Sequence, residues 1–178
     1  MAARSRGVVE KAWFFTGDKD FMQLLDDRTG MLKPGHRGDE ITALTADDVR
    51  KKYKLDPEDL IQVFALAGDK ADNIPGAPGV GDKTALKIIQ EYGNLENLYS
   101  KLEASKLTPR LKRILAENRE QVFLSRELFV IDKDLDLDID WEAMNTVLPT
   151  GPEVTEVLQE LGLRRVRANI EKLTKERQ

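Results

Sequence analysis

The sequence predicts a mainly helical chain with a truncated α/β start, and three observations carry that expectation. A short β-rich run, Trp13–Thr16, ends at Gly17 and is followed at once by Asp18 and Asp20. From Thr45 onward, apolar residues recur at helical spacing between recognisable starts and stops. Between them lies Gly68–Thr84, GDKADNIPGAPGVGDKT, with two carboxylates (Asp69, Asp72), two prolines and a series of glycines opening a helix. Gly76, Gly79 and Gly81 allow sharp turns and close approach to a ligand, and Pro75 and Pro78 stiffen the path between them.

Trp13–Thr16 is expected as a buried strand, with Phe21, Leu24 and Leu25 at helical spacing behind it. The loop past a strand's C-terminal end is where open α/β sheets bind ligands. Met31–Lys33 is a candidate second strand, and Pro34–Glu40 a polar loop that holds the single His36. One or two strands do not make a stable sheet, so residues 1–43 read as the end of a domain whose start is absent.

Helices follow through residues 44–178. Thr45 and Asp48 form a capping-box pattern before Val49 and Tyr53. Asp56-Pro57 opens a helix through Leu60, Ile61 and Phe64, ending at Gly68. Asp82 is the expected cap of the helix carrying Ala85, Ile88, Ile89 and Tyr92, which stops at Gly93. Asn94 opens the next, burying Leu95, Leu98, Tyr99 and Leu102, and Thr108-Pro109 another with Leu111, Ile114 and Leu115. Val122–Leu128 continues the helical pattern. The last well-patterned helix runs from Pro152 to Gly162 with Val154, Leu158 and Leu161 inward, and the Lys/Arg/Glu-rich end reads as a frayed helix.

Composition narrows the chemistry. The 178 residues are 40% apolar and 34% charged, as in a soluble globular protein, and contain no apolar run of membrane-spanning length. Zero cysteines exclude disulfides, thiolate metal sites and a cysteine nucleophile. One histidine argues against a His-based triad, leaving oxygen ligands and hence magnesium or manganese for any metal. A net charge of −4 argues against nucleic acid at first sight. Its distribution offsets this: Lys101–Glu120 holds six basic residues against three acidic, and Arg164–Gln178 six against two. The first twelve residues are too short and unpatterned for a targeting peptide.

Asp18, Asp20, Asp69 and Asp72 are four carboxylates on two segments, each beside a glycine. Two cations ~4 Å apart, held by shared carboxylates, would activate water on a phosphodiester. Asp also caps helices and fills turns, and from spacing alone that reading slightly outweighs the metal. Gly76-x4-Gly81 comes close to a nucleotide-binding P-loop, but Asp82 stands between the last glycine and Lys83, and no apolar strand precedes it. A loop that grips a DNA backbone by N–H groups and a lysine fits better. Asp132–Asp140 imitates a calcium loop, yet Leu137 and Ala143 occupy the positions where Gly and Glu are required. Its period-two alternation predicts an extended segment with one buried face.

TGDKDFMQLL at Thr16–Leu25, followed by ALAGDKADNIPGAPGVGDKTALKII, resembles the 5′→3′ exonuclease family, which includes the nuclease domain of bacterial family-A DNA polymerases and is related to the flap endonucleases. The likeness continues through Tyr53–Leu66 and Glu91–Tyr99 and covers roughly the second half of that domain. It implies the end of a PIN-like nuclease core followed by a helical, helix-three-turn-helix DNA-binding region. It further implies that Asp18, Asp20, Asp69 and Asp72 are the catalytic and metal-binding carboxylates, for two Mg2+ or Mn2+ ions. Gly79, Val80, Gly81, Lys83 and Thr84 would then grip the DNA backbone around a K+ ion held by loop carbonyls. The implied reaction is hydrolysis of DNA at 5′ ends and flaps.

The family's first half has no counterpart in the sequence, including its early acidic residues and the arch that threads the 5′ end. Two alternatives stand: a sequence lacking its upstream half, or a shortened product that binds DNA without cutting it well, a non-catalytic module. The expected partners are duplex or 5′-flap DNA, with a separate N-terminal half or a polymerase; the chain is expected to be a monomer with no membrane partner. The loop Pro34–Asp39 resembles organellar plant members, which implies a plastid or mitochondrion.

Overall fold

The computed structural model describes residues 9–35, 40–140, 143–144 and 149–176; the expectation for His36 falls outside them. The chain divides into two compact units, up to Asp136 and from Leu137 on.

The first unit opens with a three-stranded sheet in the order β1-β2-β3. Strand β1 (Ala12–Phe15) runs parallel to β2 (Thr29–Pro34), with Phe14 opposite Met31. Strand β3 (Ile41–Leu44) returns antiparallel to β2. It was not legible in the sequence: its residues are exposed or half-exposed, so it shows no apolar alternation. The parallel pair is bridged by a 3-10 helix, Lys19–Leu24, where the spacing of Phe21, Leu24 and Leu25 suggested an ordinary helix. Gly30 on β2 lies under the Trp13 ring, where any Cβ would collide with it.

Helix α1 (Ala46–Tyr53) starts on the predicted capping box, Thr45 and Asp48 satisfying each other's backbone N–H. A 3-10 turn (Pro57–Asp59) leads into α2 (Leu60–Ala67); Asp56 precedes it without a side-chain cap bond and instead accepts from Arg50 Nε at 2.7 Å. After the Gly68–Gly81 loop come α3 (Asp82–Tyr92), α4 (Leu95–Ser100), α5 (Pro109–Glu117) and α6 (Arg119–Phe129). Gly81, not Asp82, is the N-cap of α3, so that helix begins without a side-chain cap. Asn94 and Thr108 do cap their helices, accepting from Asn97 and Leu111 N–H.

Helix α2 is the centre of the unit, packed against α3 on one side and α6 on the other. Two apolar clusters meet along it. Val63, Leu66, Ile89, Leu95 and Leu115 belong to one, and Leu60, Phe64, Met31, Val49 and Phe129 to the other. A helix apolar on most of its circumference must be covered on most of it, which fixes its central place.

In the second unit, α7 (Pro152–Glu160) and α8 (Arg164–Glu176) are joined through Gly162. Leu161, expected inward, is exposed, and the basic end is a regular thirteen-residue helix rather than a frayed one. Arg167 pairs with Glu171 at 2.9 Å one turn on, which supports a solvated helix. The Asp132–Asp140 run forms no strand, and its Leu135 and Leu137 are exposed, so the expected buried face is absent. Among the described residues, no helix is long and apolar enough to cross a membrane.

The end of α2 and the loop touch backbone to backbone. Gly68 and Gly76 both have positive φ, and a Cβ on Gly76 would lie 2.4 Å from Gly68 N and 2.6 Å from the Ala67 carbonyl carbon. Gly79 also has positive φ but open space around it. Gly79→Ala should therefore cost only the left-handed strain, ~1–2 kcal/mol. Gly76→Ala should cost that plus an overpacking penalty of ~1–3 kcal/mol, read by urea unfolding. Equal losses would contradict the close-approach account.

Candidate nucleic-acid and metal site

Asp18 lies just past β1, as the N-cap of the 3-10 helix, and its carboxylate accepts from Asp20 N–H at 3.0 Å. Asp69 follows α2, in a tight loop closed by mutual backbone bonds with Ile74 at 2.8 Å, and it accepts from Ala71 N–H at 2.7 Å. Asp18 and Asp69 thus do the capping and turning work that Asp does elsewhere. The two segments nevertheless meet. Lys19 Nζ lies 2.5 Å from Asp69 Oδ2 and 5.1 Å from the centre of the Phe64 ring. Sequence reading had passed over this lysine, because a charge between two aspartates reads as solvated.

Burial pushes the Asp20 carboxyl up to about 6, the nearby Asp18 charge adds to it, Lys19 opposes, and Asp72 and Asp69 add smaller repulsions. Asp20 thus feels all three other candidate carboxylates. Its Oδ1 is buried with no hydrogen-bond partner. The Lys19 hydrogen bond holds Asp69 below the usual carboxylate range. For Lys19, burial works against the charge, but the Asp69 hydrogen bond and the fields of Asp69, Asp20 and Asp82 outweigh it and raise the pKa.

These donors fit a hard divalent cation in kind: they are oxygens only, and one is buried and unpartnered. They fall short in number. Among the described residues, no group of three or more carboxylate or imidazole side chains is placed to hold one ion.

The loop after Asp69 is clamped by α6. Ser125 Oγ accepts from Gly76 N–H at 3.3 Å, and Gln121 Nε2 donates to Gly76 O. Ala77 N–H donates to Leu66 O at 2.8 Å, closing the loop against α2. The same α6 reaches the 3-10 helix through Gln23, whose buried amide donates to Phe129 O at 2.8 Å and accepts from Ile131 N–H at 3.1 Å. None of these clamps had a sequence signal, since each joins residues far apart in the chain.

Of the candidate phosphate-gripping residues, Gly79, Gly81, Lys83 and Thr84 are exposed, whereas Val80 turns inward and is 3% exposed. Val80 N–H already donates to Ala77 O at 3.0 Å, so this residue anchors the loop. The first-turn N–H groups of Asp82 and Lys83 have no acceptor in their own helix and point outward from its N-terminus.

Residues 55–150 match the family model for the 5′-3′ exonuclease, C-terminal SAM fold. A thermostable DNA polymerase I of Thermus filiformis is 38% identical over 146 residues, 82% of this chain and 17% of that protein. A 5′-3′ exonuclease of Halalkalibacterium halodurans is 35% identical over 156 residues, 85% of this chain and 50% of the relative. This chain therefore spans about half the length of that exonuclease. Among solved structures, T5 5′-exonuclease with bound divalent metal ions (zinc) aligns with a TM-score of 0.60 at 24% identity, covering 71% of this chain and 46% of that one. The catalytic core of Rad2 in complex with DNA aligns with a TM-score of 0.53 at 20% identity, over 76% and 47% of the two chains. At those identities the likeness is one of fold.

The Asp20 environment yields a pH test. The folded carboxyl holds its proton more tightly than the unfolded one, so Asp20's own contribution to stability falls as pH rises from about 4 through about 6 and stays lower above. With EDTA present, Asp20→Asn should raise the unfolding temperature at pH 7.5 and lose that advantage at pH 3.5. A gain independent of pH would contradict the crowded-carboxylate reading.

Proposed function

The chain belongs to the 5′-3′ exonuclease family by its C-terminal SAM fold, and from that premise we propose that it grips duplex DNA by its backbone and contributes carboxylates to metal-dependent hydrolysis near a 5′ end or flap. The observation that carries this reading is the Lys19–Asp69 contact, which ties the segment of Asp18 and Asp20 to the segment of Asp69 and Asp72. We divide the roles near residue 43: the sheet and its following loop present the first pair of carboxylates, and the helical region presents the second pair and the DNA grip.

In that region the Gly79–Thr84 loop acts as the turn of a helix-three-turn-helix element. Gly81, Asp82 and Lys83 offer N–H groups to a phosphate, and the Lys83 ammonium adds a point charge. Carbonyls of the same loop are the donors for a K+ ion. None of these groups reads a base edge, so the grip is independent of sequence.

Asp18, Asp20, Asp69 and Asp72 are the residues that would hold Mg2+ or Mn2+. Such ions supply a polarised water and charge neutralisation at the scissile phosphate. Lys19 holds Asp69 in place and offsets part of the mutual repulsion among the four carboxylates. Asp20 contributes a buried, unpartnered oxygen. A four-carboxylate set with no three converged on one point binds a second cation weakly, so full activity calls for further ligands from an upstream half.

A second reading, a module that binds DNA without cleaving it, is favoured by the absence of a three-ligand cluster among the described residues. A 5′-flap assay separates the two, run in magnesium and in manganese, on this chain and on a version carrying an upstream nuclease half, with Asp69→Asn as the blank. The nuclease reading expects slow cleavage by the short chain, much faster cleavage by the long one, and none by the blank. No cleavage by either version would leave the binding module.

For the grip, Lys83→Ala should weaken binding of unrelated duplexes by a similar factor, and affinity should fall steeply with added salt. Fluorescence anisotropy on two duplexes of different sequence reads both effects. A loss confined to one sequence would overturn the backbone grip.

A further inference from the structure

The second unit leaves its apolar residues uncovered. Helices α7 and α8 pack against each other, yet neither contains a buried residue. Val154, Leu158 and Ile170 line the space between the two helices, which keeps a hollow of about 220 Å³. Val157, Leu161, Leu163, Val166 and Leu173 are 42–66% exposed. From Leu163 through α8, the apolar residues Leu163, Val166, Ile170 and Leu173 recur at alternating steps of three and four, the spacing of a seam between packed helices. Helices of nine and thirteen residues are marginal in water by themselves and draw their stability from packing. This pair therefore calls for a further apolar surface.

Charge identifies that surface. Helix α7 carries Glu153, Glu156 and Glu160, spaced so that they share a face, and no basic residue. None of these glutamates has an ion pair among the described residues. Helix α8 carries Arg164, Arg165, Arg167, Lys172 and Lys175 against Glu171 and Glu176, five basic residues to two acidic. Its pairs Arg167–Glu171 and Lys172–Glu176 lie within the helix itself. One helix is thus acidic by three charges and the next basic by three, with bare apolar residues on both. Such a surface is complementary to itself under a two-fold rotation. An anionic membrane or a nucleic-acid strand would be repelled by α7.

We propose that α7 and α8 dock on the same two helices of a second copy of this chain, forming a four-helix bundle in which each acidic α7 lies along the basic α8 of the other copy. Val157 and Leu161 of one copy meet Leu163, Val166 and Leu173 of the other. The proposal departs from the monomer expected from the sequence and is independent of the DNA-binding reading.

Sedimentation velocity of the full chain, over about a hundredfold range of concentration, reads the assembly. The wild type should pass from monomer to twice that mass as concentration rises. Glu153→Lys with Glu156→Lys and Glu160→Lys sets base against base across the interface, and Arg164→Glu with Lys172→Glu and Lys175→Glu sets acid against acid. Each triple variant alone should dimerise at least about tenfold more weakly, and an equal mixture of the two should recover dimers, because only contacts between copies then pair opposite charges. A wild type at monomer mass throughout would overturn the proposal, as would a mixture no more dimeric than its components. If the reversed chains do not fold, Leu163→Ser alone decides: it should weaken the dimer, and an unchanged dimer would overturn the hairpin interface. Trp13, Phe15 and Ile41 are the exposed apolar residues of the sheet. Phe15→Ser should leave the dimer intact; loss of the dimer in that variant would place the interface on the sheet and overturn the assignment to α7 and α8.

Discussion

The contact on which the rest depends is the backbone-to-backbone approach of Gly68 and Gly76. With no Cβ on either residue, the chain leaving α2 reverses and lies directly on the helix end it has just left. Only glycine combines positive φ with that separation at little cost. The reversal places Asp69 at the top of α2, lets Ala77 bond back to Leu66, and delivers the chain to Gly81 and α3. Larger side chains would push the loop outward, and the Lys19–Asp69 contact would open with it.

Helix α6 converts that turn into a fixed site. It holds the loop through Ser125 and Gln121 and holds the 3-10 helix through Gln23 and the Phe129 carbonyl. Burying a carboxylate beside others is unfavourable, and burial first, then the Asp18 charge, raises the Asp20 carboxyl. The opposing stabilisation comes from the core around α2, where Leu60, Leu66, Ile89, Leu95 and Leu115 are almost fully buried. At about 1.5–3 kcal/mol for each buried aliphatic side chain, a few such residues outweigh the repulsion. Packing thus holds an electrostatically unfavourable arrangement in place.

The helices were legible in the sequence because their signals are local: the Thr45–Asp48 capping box, the Asn94 and Thr108 caps, and the apolar spacing of Ala85, Ile88 and Ile89. Strand β3 was not, because it buries too little to alternate. The extended reading of Asp132–Asp140 inferred a buried face from period alone, and exposed Leu135 and Leu137 show that alternation without a neighbouring surface buries nothing. For the site, residue types and order pointed to the four aspartates and the glycine loop. Lys19, Gln23 and Ser125 were silent, since their contacts join segments distant in the sequence. Val80 sits in the middle of the candidate phosphate-gripping motif, yet its side chain belongs to the core.

The central claim is that the Asp18–Asp20 and Asp69–Asp72 segments face one cation-binding region beside the DNA loop. Titrating Mn2+ into 15N-labelled protein and following amide line widths tests it directly, because the paramagnetic ion broadens whatever lies near it. The account predicts that amides of residues 17–20 and 69–73 broaden together at the lowest manganese concentrations, ahead of the acidic run at 132–140. Broadening of only one of the two segments, or first broadening at 132–140, would contradict it.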